Sequence, residues 1–223
     1  AYGTSLPELA VSVTATLKGS GGMAIGNVVG SNICNIGIVL GFAAVCRPLV
    51  VTRETTGIYV PFMLGAAGVV TCFLADGRLD RTEGAVLVGG IVAYTFYSVR
   101  RARRQVAAER AATSDLEPLV GRPGFFKPFL LVLLGLVILL VGGRILVSGS
   151  VSLAQLLGVS EAVIALTVVA FGTSAPDLAA SAVAAIKGHG ELAAGNAIGS
   201  VIFNLLNVLG IAALVRPVAA TGI

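Results

Sequence analysis

Seven predominantly apolar stretches run along the chain, at residues 1–17, 24–45, 58–75, 84–99, 129–149, 161–187 and 191–215. A helix needs about 20 mostly apolar residues to cross a bilayer, and most of these stretches are near that length. Period-two alternation does not compete with the helical reading. Two of the stretches end on the same dipeptide, Arg47-Pro48 and Arg216-Pro217. Proline cannot continue a helix, so both ends are sharp. A polar, basic segment at 100–127 divides the stretches four and three, and a short segment at 151–158 reads as interfacial. The pattern predicts an all-α polytopic membrane protein.

Composition sharpens this. Hydrophobic residues make up 56% of the chain, charged residues only 12%, and the mean hydropathy is +0.96. Soluble domains are about a quarter charged. The net charge of +4 is concentrated in 100–127, where Arg100, Arg101, Arg103, Arg104, Arg110, Arg122 and Lys127 face only Glu109, Asp115 and Glu117. Beside apolar spans, such a segment reads as a cytoplasmic loop and not as a nucleic-acid surface. Alternation of the spans then places ten of the fifteen basic residues inside and five outside. Cys34, Cys46 and Cys72 have no CxxC spacing and read as small packing residues.

Residues 3–48 and 172–217 align without a gap at a constant offset of 169, with 25 of 46 positions identical. The identities include Gly3, Thr4, Ser5 and Pro7 against Gly172, Thr173, Ser174 and Pro176, and Gly26-Asn27 and Gly30-Ser31 against Gly195-Asn196 and Gly199-Ser200. Chance similarity between apolar helices would match Leu and Val, not these. The chain contains a duplicated unit. Five membrane crossings separate the first span from the sixth, so the copies run in opposite directions. Inverted repeats of this kind build many secondary transporters, with the substrate site near the midplane where the halves meet. The organisation is a first repeat at 1–99, a basic cytoplasmic loop at 100–127 and a second repeat at 128–223.

Glu8 and Asp177 are equivalent positions of the repeat, each inside an apolar helix. A charge at the bilayer centre costs about 2.5–3.5 kcal/mol on insertion scales. Neither acid has a basic neighbour in its span. Two carboxylates facing each other across a pseudo-two-fold do not both ionise unless a cation neutralises them. Hard oxygen donors surround them: the hydroxyls of Thr4, Ser5, Thr173 and Ser174, and backbone carbonyls released from helix pairing by Pro7 and Pro176. Such donors suit calcium, whereas softer metals favour Cys or His. The single histidine, His189, reads as a surface turn residue. Ser31 and Asn35 share one helix face at i and i+4, as do Ser200 and Asn204. Each pair suits either ion binding or hydrogen bonding between helices. Gly26, Gly30, Gly195 and Gly199 have GxxxG spacing and read as close-packing positions.

These motifs, GTSLPE, GNVVGSN, GTSAPD and GNAIGS, resemble the signature repeats of the cation/calcium exchanger superfamily, and most nearly the sodium/calcium exchanger branch with its prokaryotic members. The resemblance implies ten helices in two inverted sets of five. On that pattern the chain reads as a fragment lacking one helix before residue 1 and two after 217. It implies calcium ligation by Glu8, Asp177 and the carbonyls of Thr4 and Thr173. It implies sodium sites from Ser5, Ser174, Ser31 and Ser200 with the Ala1 and Ala170 carbonyls, and Asn35 and Asn204 at the centre. The sequence departs from the family at three places. Asp177 stands where many prokaryotic members have Glu, Val201 faces Asn32 of the first copy, and Asn204 stands where some members carry Asp.

The expected function is secondary active antiport of calcium against sodium across the cell membrane by alternating access, without a cofactor and without enzymatic activity. The alternative is a proton-coupled cation antiporter on the same fold. An intramembrane aspartyl-type hydrolase and a purely structural bundle are different classes, and the oxygen-rich surroundings of both acids argue against them.

Overall fold

A computed structural model describes residues 2–49, 51–112 and 165–220, with scattered positions between 130 and 163. The predicted fifth span, the segment at 151–158 and the second half of the basic loop lie largely outside the described residues, as does Ala1.

The first repeat opens with a turn at 2–5 and continues into α1 (Leu6–Leu17), α2 (Gly21–Cys34), a π-helical segment (Asn35–Leu40) and α3 (Gly41–Cys46). After a link come a second π-helical segment (Thr55–Tyr59), α4 (Val60–Phe73) and α5 (Arg81–Ala112). The second repeat shows a π-helical stretch (Ala165–Val169), α6 (Ala170–Thr173), α7 (Ala175–Ile186), α8 (Gly190–Phe203), a π-helical segment (Asn204–Val208) and α9 (Leu209–Val215). Adding 169 to the bounds of α1 and α2 gives those of α7 and α8, so the duplication in sequence is also one in structure.

Both hairpins turn in the same way. Gly19 and Gly188 adopt φ of +82° and +87°. Ser20 N–H donates to Ala15 O at 2.9 Å, and Gly19 N–H to Thr16 O at 3.0 Å. His189 and Gly188 repeat this pairing to Ala184 and Ala185 at 2.8 and 2.9 Å. These are Schellman endings, which favour glycine at the left-handed position.

Across the repeats the contacts are reciprocal. The Arg47 guanidinium lies against the Gly188 turn and that of Arg216 against the Gly19 turn. α3 packs on α7, and α9 packs on α1. A contact that recurs with its partners exchanged is the mark of a two-fold relation. The same contacts sort the basic residues by side. Arg47 and Gly188 lie at one end, and so does the Arg101–Glu54 ion pair, 2.8 Å long. Gly19 and Arg216 lie at the other, where Arg81 donates to Val215 O at 3.4 Å.

Three boundaries and readings differ from the sequence pattern, and the first stretch is short as its pattern suggests. α1 has 12 residues, or about 18 Å at 1.5 Å per residue. The sixth is broken, with Leu166–Thr173 and Ala175–Ile186 bent by 50°. Pro176, which has no N–H to give, opens the lower half at this break. The basic segment is not a loop throughout, because α5 continues to Ala112. Its Arg and Ala residues are strong helix formers and carry the helix past the apolar stretch. A two-stranded antiparallel ribbon also forms, pairing Arg78 with Ala219 and Leu79 with Val218. It is too short for a periodicity to reveal.

Four helices are long and apolar enough to cross a membrane: Gly21–Cys46, Thr55–Asp76, Arg81–Arg104 and Gly190–Val215. The bent pair makes a fifth if counted as one span. Gly190–Val215 is 72% buried, because α4 and α5 cover it, whereas Gly21–Cys46 is 39% buried. Val29, Ile33 and Ile36 therefore stay open where their repeat counterparts Ile198, Ile202 and Leu205 are buried. Of the cysteines, Cys34 packs inside, but Cys46 and Cys72 are exposed and do not serve as packing residues here.

The GxxxG reading separates in the same way. A Cβ placed on Gly30 would lie 2.2 Å from Leu166 O and 2.7 Å from Ala170 Cβ, so α2 meets the second repeat backbone to backbone. Gly195 has nothing within 4 Å and lines a cavity of about 350 Å³ instead, together with Tyr2, Tyr59 and Tyr94. Gly30→Ala is expected to lower stability by about 1–3 kcal/mol through overpacking, read as a drop in the melting temperature of detergent-solubilised protein. Gly68→Ala is the control, since that position is open, and its melting temperature should hold.

Candidate functional site

The acids lie in the first turns of two equivalent helices. α1 has Pro7 as its second residue and carries Glu8 next to it, and α7 has Pro176 as its second residue and carries Asp177 next to it. Both carboxylates are fully buried. They lie near enough to act on each other electrostatically. Opposite them stand the residues where α2 and α8 give way to π-helix, Asn35 and Asn204. A π-helical segment widens the turn and frequently marks a functional position.

The two acids are held differently. Asp177 accepts on Oδ1 from Ser200 Oγ at 2.9 Å and from Asn196 Nδ2 at 3.1 Å. Its Oδ2 accepts from Asn35 Nδ2 of the first repeat at 3.3 Å. Glu8 accepts on Oε1 from Ser174 Oγ of the second repeat at 3.2 Å, and its Oε2 has no partner. The shorter Asp arm ends on α8, whereas the longer Glu arm reaches across to the other repeat.

Several of the predicted hydroxyls and carbonyls meet where α2 packs on α6. Ser31 Oγ lies 3.3 Å from Thr173 Oγ1 and donates to Ala170 O at 3.5 Å. Thr173 Oγ1 donates to the same carbonyl at 3.1 Å. Ser5, Ser174, Ser31, Ser200, Asn35 and Asn204 are all fully buried, and Thr173 and Ala170 nearly so. Thr4 is half-buried in the turn ahead of α1. Ala1 lies outside the described residues. His189, the N-cap of α8, is exposed and takes no part.

Sequence reasoning matched Asn27 with Asn196 as a repeat identity but gave neither a role. In the structure Asn27 Nδ2 donates to the Glu8 carbonyl at 3.3 Å and to Ser12 Oγ at 3.0 Å, and its Oδ1 lies 3.4 Å from Thr173 Oγ1. Asn196 repeats the serine contact with Ser181 at 3.1 Å. The invariance of the GN pair between the two copies was the available signal. Asn32, whose Oδ1 accepts from Asn204 Nδ2 at 3.2 Å, was noted only as a departure from the repeat.

Six buried side-chain oxygens among the described residues have no hydrogen-bond partner. Thr16 Oγ1 and Ser98 Oγ are two of them, and the other four, Ser5 Oγ, Glu8 Oε2, Asn35 Oδ1 and Asn204 Oδ1, belong to residues that the repeat singles out. Leaving a buried polar atom unsatisfied costs about 1–3 kcal/mol, and each of these oxygens is able to accept from a donor or to ligate a cation. Among the described residues no group of three or more His, Cys, Asp or Glu side chains gathers. The side chains here are hard oxygen donors around two carboxyl groups, a set that suits sodium or calcium better than softer metals.

The sequence model of the family described as "Sodium/calcium exchanger protein" matches residues 1–100 and 127–222. The chain belongs to this family. Among its relatives, the inner membrane protein YrbG of Escherichia coli is 39% identical over 220 residues, covering 96% of this chain and 67% of the relative. The sodium/calcium exchanger MaX1 of Methanosarcina acetivorans is 32% identical, covering 98% of this chain and 72% of the relative. A solved structure of the sodium-calcium exchanger NCX_Mj, soaked with sodium and calcium, superposes with a TM-score of 0.78 at 30% identity, over 98% of this chain and 69% of that one. The exchanger family is one of integral membrane ion antiporters, and the inverted-repeat fold fits it.

Asn27→Ala should lower the stability of the solubilised protein by about 1–3 kcal/mol, because the buried Glu8 carbonyl loses a donor. A melting temperature equal to that of the unaltered chain would remove Asn27 from the support of the site.

Proposed function

We propose that the chain exchanges calcium for sodium across the cell membrane, using Glu8, Asp177 and the oxygens around them as one alternating site. The observation that carries this reading is the set of four unpartnered buried oxygens shared by the two repeats. Calcium takes six to eight oxygens. Glu8 and Asp177 supply two charges that cancel its own, and Ser5, Asn35, Asn204 and the Thr4 and Thr173 carbonyls extend the shell. Sodium ions use Ser5, Ser174, Ser31 and Ser200 with the Ala1 and Ala170 carbonyls, sharing the carboxylates, so occupation by one ion excludes the other. Alternating access follows from the two-fold relation, since each repeat closes one side as its counterpart opens the other. The basic end of α5 and the segment after it face the cytoplasm.

Membership of a transporter family, with hydroxyl and amide donors at both acids, supports ion binding over a hydrolytic acid pair. The competing reading is proton-coupled cation antiport on the same fold. Uptake of isotope-labelled calcium into vesicles separates the two. A sodium gradient at uniform pH should drive uptake, and Glu8→Gln should abolish it. Uptake driven by a pH gradient alone, with sodium absent, would assign the counter-ion to the proton. Undiminished uptake by Glu8→Gln would overturn the site.

A further inference from the structure

We propose that Asn32 is a positioning residue that fixes which end of the Asn204 amide the ion meets. The inference rests on the proposed function of the site. Asn204 is fully buried at the start of its π-helical segment. Its Nδ2 donates to Asn32 Oδ1 at 3.2 Å, and its Oδ1 has no partner. An amide carries its donor and acceptor on opposite sides, so tethering the NH₂ group turns the carbonyl oxygen away from the tether. A cation needs that oxygen. A flipped amide would present two N–H donors and repel it.

The repeat shows that this device is particular to one half. Asn35, the counterpart of Asn204, is also oriented through its Nδ2 and also leaves its Oδ1 free, but its acceptor is the Asp177 carboxylate at 3.3 Å. At the position equivalent to Asn32 the second repeat has Val201, buried and without an acceptor. The two central amides are thus held by unlike groups. The tether of Asn35 is an acid that itself draws on the cation, so ion entry competes with it. The tether of Asn204 is a neutral side chain outside the proposed ligand set, and ion entry leaves it in place. Asn204 therefore presents its oxygen in the empty site and the filled one alike, and Asn35 does so only while Asp177 keeps a lone pair for it.

The test is sodium-driven calcium uptake in vesicles by Asn32→Ala, Asn32→Asp, Asn204→Ala and the double variant Asn32→Ala/Asn204→Ala. Loss of one orienting hydrogen bond should raise the KM for calcium by about three- to tenfold in Asn32→Ala, with kcat kept near that of the unaltered chain. Asn32→Asp retains an acceptor and should restore the low KM. If Asn32 acts through Asn204, the double variant should be no worse than Asn204→Ala alone. An unchanged KM in Asn32→Ala, or additive losses in the double variant, would overturn the assignment. A fall in kcat and in melting temperature without a KM change would show Asn32 to be a packing residue only, and that too overturns it. Glu8→Gln run alongside keeps the two ideas apart. Abolished uptake there with an indifferent Asn32→Ala rejects only the positioning role, whereas uptake that survives Glu8→Gln rejects the site itself.

Discussion

A carboxylate taken away from water and from headgroups needs donors or positive charge around it. Glu8 and Asp177 are buried together, and the ion pairs of the described residues lie elsewhere, at Arg78–Asp76 and Arg101–Glu54. The protein meets this constraint only in part. Serine hydroxyls and asparagine amides engage three of the four carboxylate oxygens, and the fourth, Glu8 Oε2, is left open with three further oxygens near the repeat contact. A structural acid pair would be stabilised by completing the hydrogen bonds. One whose bonds stop short retains an electrostatic demand that a mobile cation can meet, and the proposed ion site rests on that incompleteness.

The rest of the fold serves to keep that incomplete cage in place. The prolines sit in the first turns of the two acid-bearing helices, where a missing N–H costs no helix bond. The left-handed glycines fold α1 back on α2 and α7 back on α8. The close approach at Gly30 brings the second repeat's backbone onto the first, so that Ala170 and Thr173 face Ser31. Asn27 and Asn196 then tie each acid's own helix to its hairpin partner. The duplication makes these supports equivalent, but the acids diverge. Asp177 is one methylene shorter and is bonded from both repeats, whereas the side-chain bond to Glu8 comes from the other repeat only. Of the two, Glu8 has the freer oxygen and the longer reach for an arriving ion.

Much of this was legible in the sequence because the repeat marks its own important positions. Polar residues that recur at an offset of 169 within apolar helices have few reasons to do so, and Glu8, Ser5, Ser31, Asn35 and their counterparts all fall at the contact between repeats. Pro7 and Pro176 mark the starts of α1 and α7, in keeping with their missing N–H. Other features depend on partners that no local pattern names. Whether a GxxxG glycine packs closely or borders a cavity depends on what crosses it, which is why Gly30 and Gly195 differ. The helical continuation through 100–112 is set by propensity and not by hydropathy. The bond between Asn32 and Asn204 arises where the duplication is broken, so a comparison that sought identities passed over it.

The same electrostatics explains why such a site favours exchange over leak. Moving between inward- and outward-facing states takes the site through a path closed to water on both sides. With calcium or sodium bound, the carboxylate charge is cancelled and the passage is that of a near-neutral body. Empty, the two carboxylates would make the passage bare, at the cost that a charge meets at the bilayer centre, about 2.5–3.5 kcal/mol each on insertion scales. In the proposed exchange, return is therefore favoured with an ion bound. Obligatory coupling in this reading is a property of two buried acids, and the helices around them only have to keep water from relieving it.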